Sequence, residues 1–332
     1  MATIVKNTHG NNPSHNGTEE NPFALTFKEA VKTMGEDEAK VLFASLYKNK
    51  SSQKPYTMTV KEVFRDTDTQ KYVYQMPDKK CIETVCIKRK DGVTACASTQ
   101  VGCAVGCVFC ESGRNGLLRN LTPAEIVQQI VLLKEKVNRI IFMGIGEPLH
   151  NYDALIRAIH VLRDRNGLDF PTDGITVSTV GPVNQLKKLR EEHIKIQLVL
   201  SLHSTDQKTR DAVIPGMRGN DIGQTVQAAL SYSQRHNRKI IIAYLLLPGI
   251  NDRPSDIRQL TQWFRHENIM INLLEYNRTS SGEMRSPRKE ELLAFKNALE
   301  SSGLETNIRV SHGRNIKAAC GQLASKYNGL VQ

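Results

Sequence analysis

The sequence predicts an α/β protein whose main part is an incomplete (β/α)6 barrel, preceded by a small N-terminal helical module and an antiparallel β extension. After about residue 93, short apolar strands alternate with helical segments, which favours a parallel sheet with right-handed crossovers. Between residues 56 and 99, β-branched runs are separated by turns rich in Asp and Lys, as is typical of antiparallel strands. The strand count fits an incomplete barrel better than a closed eight-stranded one.

Four regions follow one another along the chain. Residues 1–22 are rich in Asn, Gly, His and Thr without an apolar period, and are predicted to be a disordered tail. Residues 23–55 carry apolar positions spaced as in two short helices, which predicts a small accessory module. Residues 56–92 are assigned to the antiparallel extension and residues 93–332 to the barrel.

The barrel strands are predicted near residues 93–98, 139–145, 174–179, 196–202, 239–246, 270–274 and 306–310. Between the first two strands, a helix is predicted over residues 122–136. Thr122 and Glu125 have the spacing of a capping box at its start. Because chemistry in a βα barrel takes place at the carboxyl ends of the strands, polar residues that follow these strands are candidate site residues.

Charge and composition limit the classes of partner. The 332 residues include 45 Lys and Arg against 34 Asp and Glu, a formal net charge of +11 that suits a phosphate-rich partner but does not require one. No apolar run is long enough for a membrane span and no signal segment is recognisable, so we expect a cytoplasmic protein without a membrane partner. Seven cysteines fit a reducing compartment better than a disulfide scaffold.

Three cysteines, Cys103, Cys107 and Cys110, are separated by three and then two residues. Three ligands in place of four indicate a 4Fe-4S cluster with one open iron. The alternatives are half of a zinc ribbon or buried cysteines, but no second cysteine pair lies near enough to complete a zinc site. The spacing resembles that of the radical S-adenosyl-L-methionine (SAM) superfamily. That resemblance implies that the open iron binds the amino and carboxylate groups of SAM, whose reductive cleavage releases a 5'-deoxyadenosyl radical.

Further candidates for SAM binding follow the predicted strands. Gly146 and Glu147 follow the strand that ends near residue 143, and the resemblance makes them the segment that contacts the SAM amino group. Other candidates at strand ends are Ser178, Ser201, Leu202, His203 and Asn277. Any one of these residues could instead be an ordinary helix N-cap or turn residue. Their shared position at strand ends favours the site interpretation.

Longer segments narrow the resemblance to one family. Residues 96–103, 119–122, 143–149 and, above all, 318–324 with Cys320-Gly-Gln-Leu resemble the RlmN/Cfr family of adenosine C-methyltransferases. The family implies methylation of carbon 2 or carbon 8 of an adenine in large-subunit ribosomal RNA, and for some members carbon 2 of a tRNA adenine. We expect carbon 2 in this chain. Glu111, which follows the third cysteine, and the sequence of residues 311–316 depart from the family pattern.

The resemblance also implies a mechanism with two further cysteines. Cys320 takes a methyl group from one SAM, and the radical from a second SAM removes a hydrogen atom from that methyl group. The resulting carbon radical adds to the adenine, and the adduct loses an electron and a proton from the ring carbon. Cys96 then frees the product by forming a transient disulfide with Cys320. Glu83 matches the proton acceptor. The alternatives are core thiols for both cysteines and a solvent-facing strand carboxylate for Glu83.

The resemblance implies an RNA substrate, a reducing electron donor such as flavodoxin or ferredoxin, and a monomer. Arg114, Arg119, Arg218 and Lys317 are candidate phosphate contacts, although solvated surface charge explains each of them as well. Two other functions stay open at this point. One is a radical SAM enzyme that uses the same machinery on a peptide or small molecule, and the other is a non-catalytic RNA-binding or zinc protein.

Overall fold

A computed structural model of the chain describes residues 21–48, 56–280, 284–324 and 327–328. Most of the tail predicted over residues 1–22 therefore lies outside the described residues, as do residues 49–55 of the predicted accessory module.

Strands and helices alternate through most of the chain. The strands are β1 (Thr59–Arg65), β2 (Thr69–Gln75), β3 (Cys81–Arg89), β4 (Gly92–Cys96), β5 (Gln100–Gly102), β6 (Leu117–Asn120), β7 (Arg139–Phe142), β8 (Ile175–Thr179), β9 (Gln197–Ser201), β10 (Ile240–Leu246), β11 (Ile269–Glu275) and β12 (Thr306–Arg309). The α-helices are α1 (Phe27–Met34), α2 (Glu36–Phe43), α3 (Pro123–Val131), α4 (Tyr152–Leu162), α5 (Val183–Glu191), α6 (Gln207–Val213), α7 (Ile222–His236), α8 (Pro254–Phe264) and α9 (Lys289–Ser301).

Ten of these strands form one mixed sheet in the order β1-β2-β3-β4-β7-β8-β9-β10-β11-β12. Strands β1 to β4 pair antiparallel, and every pairing from β4 to β12 is parallel. Strands β5 and β6 form a separate two-stranded hairpin. The predicted fold class is confirmed, since the antiparallel extension continues directly into an open parallel barrel with helices in its crossovers. The division of the chain into separate domains at the predicted boundaries stays a prediction.

Helix α3 begins as its sequence predicts and ends earlier. Thr122 and Glu125 cap its first turn reciprocally, with Thr122 Oγ1 accepting from the Glu125 amide at 3.2 Å. The helix ends at Val131 and does not reach the predicted residue 136. Glu135 explains the difference, because it accepts hydrogen bonds from Tyr72 and Gln70 of β2 and thereby holds the segment after the helix against the sheet.

The N-terminal helices lie against α4. Phe23 and Leu46 join the apolar core of the barrel, and Arg157 of α4 pairs with Glu29 of α1. The amide of Phe27 donates to Asp164 just after α4. Within the described ranges, no helix combines the length and the apolar character needed to cross a lipid bilayer.

A buried amide on α3 fixes the backbone that leads into the hairpin β5–β6. Gln129 accepts from Thr84 Oγ1 and from the Ser98 amide, both at 2.8 Å, and donates to the Ser98 carbonyl at 2.9 Å. Its side chain is completely buried, so each of these groups depends on it.

Gln129→Ala is therefore expected to lower the free energy of unfolding by about 3 kcal/mol, because it leaves buried backbone groups without hydrogen-bond partners and creates a cavity. Anaerobic urea unfolding of the cluster-loaded protein, followed by circular dichroism, measures this change. Gln227→Ala on the exposed face of α7 is the matched control, expected to lie within about 0.5 kcal/mol of the parent. Equal stability of the two variants would contradict the role given to Gln129.

Candidate active site

The three cysteines of the motif lie in the loop that the hairpin β5–β6 holds at its base. The Cys103 amide donates to the Gly116 carbonyl at 2.9 Å, and the Cys110 amide donates to the Cys107 carbonyl at 3.0 Å. The far side of the loop is bonded to the end of α6, where the Val108 amide donates to the Val213 carbonyl at 3.1 Å. All three side chains line one cavity at the carboxyl ends of the barrel strands. We call residues 103–110 the cluster loop.

The donor set of this loop suits an iron–sulfur cluster. Burial raises the pKa of all three thiols, that of Cys103 to about 12, so the sulfurs need a bound cation to stay ionised. Among the described residues, no group of three His, Cys, Asp or Glu is arranged to hold a single metal ion. A 4Fe-4S cluster requires thiols that are farther apart than the ligands of a single ion, because each thiolate binds a different iron. Cys103, Cys107 and Cys110 are the residues that would hold it.

Gly146 and Glu147 lie beside the cluster loop, in the turn after β7. Gly146 has φ +107°, and a Cβ at this position would lie 2.6 Å from the Cβ of Gln100, so only glycine fits. The buried Glu147 carboxylate accepts hydrogen bonds from Thr179 Oγ1 at 2.6 Å and from the amides of Val180 and Leu149, each at 2.9 Å. Burial raises its pKa. Glu147 thus ties the turn to the end of β8 and retains acceptor capacity for a ligand.

The candidates at the ends of β8 and β9 meet in the same cavity, with one exception. Ser178 Oγ and Ser201 Oγ are 3.2 Å apart, and both side chains line the cavity with His203. His203 Nδ1 accepts from the Leu245 amide at 3.0 Å, and burial lowers the pKa of His203 to about 3, so its ring is neutral and Nε2 carries the hydrogen. The Leu202 side chain packs in the barrel core and is not among the described cavity-lining residues.

Asn277, which follows β11, joins this part of the site to Cys320. Its Nδ2 donates to the Cys320 carbonyl at 3.1 Å, while its Oδ1 accepts from Arg314 Nε at 2.9 Å. The Glu111 amide, directly after the cluster loop, donates to the Gly321 carbonyl at 2.8 Å. A Cβ on Gly321 would lie 2.8 Å from the Phe109 carbonyl. The segment that carries Cys320 is therefore packed directly on the cluster loop.

The two remaining cysteines of interest line the cavity as well. Cys96 ends β4, and Cys320 is exposed in the loop after β12. Neither forms a disulfide in this structure. Burial raises the pKa of Cys96 to about 12, and the nearby Cys320 thiol adds to this shift. Cys81 and Cys86 are buried in β3.

Glu83 lies on β3, and its side chain is only 3% exposed, so the solvent-facing alternative is wrong. Its carboxylate is 3.2 Å from Lys71 Nζ and accepts from the Ala324 amide at 3.0 Å. Lys71 also donates to the Lys317 carbonyl at 3.2 Å. This buried pair therefore holds both ends of the segment that carries Cys320. Glu83 is not among the described residues that line the cavity.

Arg309 is a site residue that the sequence reasoning missed. It ends β12, lines the cavity and donates to Met143 Sδ at 3.1 Å. Its charge opposes the upward shift of the Cys96 pKa. The position at a strand end was the signal that could have identified it, as it did for Ser178 and Ser201.

The candidate phosphate contacts differ in whether their side chains already form ion pairs or hydrogen bonds within the protein. Arg119 is bonded to both Asp78 and Glu125, and Arg114 is bonded to Glu111 and Ser280. Arg218 and Lys317 are exposed. Arg119 therefore stabilises the start of α3. Arg218 and Lys317 are the better candidates for phosphate contacts, because neither forms an ion pair with another described residue.

Comparison with known proteins agrees with this geometry. Residues 97–261 match the profile of the radical SAM superfamily. A solved radical SAM methyltransferase from Sphaerobacter thermophilus superposes with a TM-score of 0.86 at 30% identity, covering 91% of this chain and 98% of that one. A "Probable dual-specificity RNA methyltransferase RlmN" of Thermotoga maritima is 38% identical over 270 residues, 80% of this chain and 78% of that protein.

A still higher identity is shared with a "Probable RNA methyltransferase" of Rhodopseudomonas palustris, at 48% over 255 residues, 77% of this chain and 71% of that protein. The chain belongs to the RlmN/Cfr family of radical SAM RNA methyltransferases. It is therefore an enzyme, and its cofactors are a 4Fe-4S cluster and SAM. The cavity described above supplies three thiols for the cluster and, beside them, polar side chains from the ends of β7, β8, β9 and β11.

Proposed function

We propose that this enzyme methylates carbon 2 of an adenine in RNA and carries the methyl group on Cys320. One observation supports this proposal above the others: Cys96, Cys320 and the three cysteines of the cluster loop line a single cavity. A methyl carrier, a second thiol and a radical source need this proximity, because each step acts on the product of the one before.

The bound cofactors supply a methyl group and a carbon-centred radical. Glu147, Ser178, Ser201, His203 and Asn277 are proposed to bind SAM, together with Gly146 and the backbone of Leu202. The neutral His203 offers an Nε2 hydrogen, and the serine hydroxyls offer donors to a carboxylate. The apolar side chains of Val105, Val180 and Leu245 line the same cavity and limit the access of water.

Cys320 is suited to its proposed role because it is exposed and yet held at its carbonyl by Asn277. Its sulfur can thus meet an RNA base while its backbone stays fixed. After the methylene group on Cys320 has bonded to the adenine, the adduct must lose one electron, for which the oxidised cluster would be the acceptor. It must also lose the proton on the ring carbon, which Glu83 is proposed to take. Lys71 Nζ, 3.2 Å from this carboxylate, holds Glu83 beside the segment that carries Cys320.

Release of the product is assigned to Cys96. Its thiolate attacks the Cys320 sulfur, the bond from that sulfur to the product carbon breaks with its electron pair, and that carbon takes up a proton. A Cys96–Cys320 disulfide remains, which a thiol reductant reopens.

This step gives a pH dependence with a definite sign. Because burial raises the pKa of Cys96 to about 12, the thiol is almost entirely protonated at neutral pH, and its thiolate fraction rises about tenfold per pH unit. In a single-turnover reaction, resolution of the RNA–protein adduct is expected to speed up steadily between about pH 7 and pH 9. An adduct lifetime that does not change with pH would contradict attack by a buried Cys96 thiol.

Anaerobic turnover tests the overall proposal. Cluster-loaded enzyme is given methyl-deuterated SAM, a reducing system and either ribosomal RNA or tRNA, and the nucleosides are analysed by mass spectrometry. Labelled 2-methyladenosine is expected, and the RNA that carries it identifies the substrate. Labelled 8-methyladenosine would show that the enzyme methylates carbon 8 and would contradict the assignment to carbon 2. SAM cleavage without any labelled nucleoside would favour a peptide or small-molecule substrate.

We also propose a low-potential electron donor such as flavodoxin or ferredoxin, a monomeric enzyme and a cytoplasmic location. The net charge of +11 supports binding to an acidic partner, whether RNA or an acidic donor protein.

A further inference from the structure

A buried arginine lies behind the cluster loop. Arg210 of α6 has no exposed surface and is among the largest fully buried side chains in the described part of the chain. Its Nε donates to the Leu202 carbonyl at 3.3 Å, and its Nη2 donates to the Val180 carbonyl. Its Nη1 is buried and has no hydrogen-bond partner among the described residues. The guanidinium thus bridges the ends of β8 and β9, and its Nη1 remains available to donate to a further group.

A buried cation that is bonded only to carbonyl groups is energetically unfavourable unless an anion lies close to it. An arginine side chain keeps its charge at neutral pH even when it is buried. The acidic groups whose charges act on Arg210 are Cys107, Asp211 and Glu147. Glu147 already accepts three hydrogen bonds, and Asp211 accepts one from Gln207.

The helix that carries Arg210 and the turn that follows it are bonded to the cluster loop on both sides of Cys107. Val108 donates to the carbonyl of Val213, the last residue of α6, and Gly216 donates to the Val105 carbonyl at 2.8 Å. Cys107 packs in the same apolar cluster as Val213 and Val180. The anion that this arrangement lacks is therefore the Cys107 sulfur in its ligated, negatively charged form.

We propose that Arg210 is the buried counter-charge of the cluster, that its free Nη1 donates to the ligated Cys107 sulfur, and that its charge raises the reduction potential of the cluster. A positive charge next to an iron–sulfur centre favours uptake of an electron, which is the step that starts the reaction. This inference rests on the presence of the cluster, which the proposed function also requires, and not on the RNA chemistry. The proposal for Arg210 and the proposal of RNA methylation can therefore fail separately.

Two substitutions of Arg210 separate charge from volume. Arg210→Met removes the charge at similar length, and Arg210→Lys keeps it with fewer donors. In an EPR-monitored redox titration without SAM or RNA, Arg210→Met is expected to shift the midpoint potential of the cluster clearly to more negative values. Arg210→Lys is expected to recover most of the shift. Arg258→Met, an exposed arginine on α8, is the matched control and should match the parent.

A second measurement does not depend on the folding of a variant. In parent enzyme labelled with 15N-arginine, HYSCORE spectra of the reduced cluster are expected to show a 15N coupling that Arg210→Lys lacks. An unchanged potential in cluster-loaded Arg210→Met would overturn the proposal, and so would an equal shift in the lysine variant. The absence of the coupling in the parent enzyme would do the same. A coupling that appears only after SAM is added would assign the guanidinium to the SAM carboxylate and refute the proposal as well.

Discussion

Cys320→Ser is expected to abolish methylation of RNA while SAM cleavage at the cluster continues. A serine hydroxyl at this position is almost fully protonated at neutral pH and is a far weaker nucleophile than a thiolate, so no methyl carrier forms. Methylated adenosine is expected to fall by at least about 1,000-fold, as measured by nucleoside mass spectrometry. Peptide mapping is expected to find the extra methyl group on the tryptic peptide of Cys320 in the parent enzyme alone.

Cys86→Ala is the control for this experiment. It also removes one sulfur, but Cys86, on β3, packs in the apolar core of the protein and is not among the described cavity-lining residues. Its methylation rate is expected to stay within about twofold of the parent at a temperature where the variant is folded. Turnover that persists in Cys320→Ser would remove the methyl carrier from the mechanism and leave only an enzyme that cleaves SAM.

Cys96→Ala is expected to make the enzyme accumulate a covalent adduct between Cys320 and its RNA substrate. The methylene bridge from Cys320 to the adenine still forms, but the thiol that resolves it is missing. One equivalent of RNA is therefore expected to stay attached to the protein, visible as a band that survives denaturing electrophoresis and disappears on nuclease treatment. Free methylated RNA is expected to fall about 100-fold or more.

The double variant Cys96→Ala/Cys320→Ser identifies the attachment point, because it should form no adduct. Free product at the parent rate in Cys96→Ala would exclude Cys96 from the mechanism. Arg309 gives a graded test of the same step. Its charge lowers the Cys96 pKa, so Arg309→Met is expected to lengthen the lifetime of the adduct without preventing its formation.

Much of the site could be located from local sequence patterns. The three cysteines lie close together in sequence, and the β/α alternation identified which residues follow strands. The structure places Gly146, Glu147, Ser178, Ser201 and His203 around one cavity, as this rule predicted. The rule works because parallel strands all end at the same edge, whatever their distance along the chain. Leu202 is the exception, since its side chain, one residue past the end of β9, packs in the barrel core.

Contacts between distant segments could not be predicted in this way. The sequence placed Glu83 on a strand but did not show whether its side chain faced solvent. Only packing of the segment with Ala324 against β3 buries it beside Lys71. No sequence pattern predicted the burial of Arg210, which follows from the packing of α6 against two strand ends and the cluster loop.

The sequence by itself determined the order of strands and helices, the three thiols of the cluster loop and the strand ends around them, because these depend on local spacing and period. The tertiary structure decided which distant groups come into contact: Cys320 packs against the cluster loop, Lys71 pairs with Glu83, and Arg210 donates to the carbonyls of Val180 and Leu202. Such meetings depend on how helices and loops pack on the sheet, and the free energy of that packing is distributed over many contacts that no short segment of sequence contains.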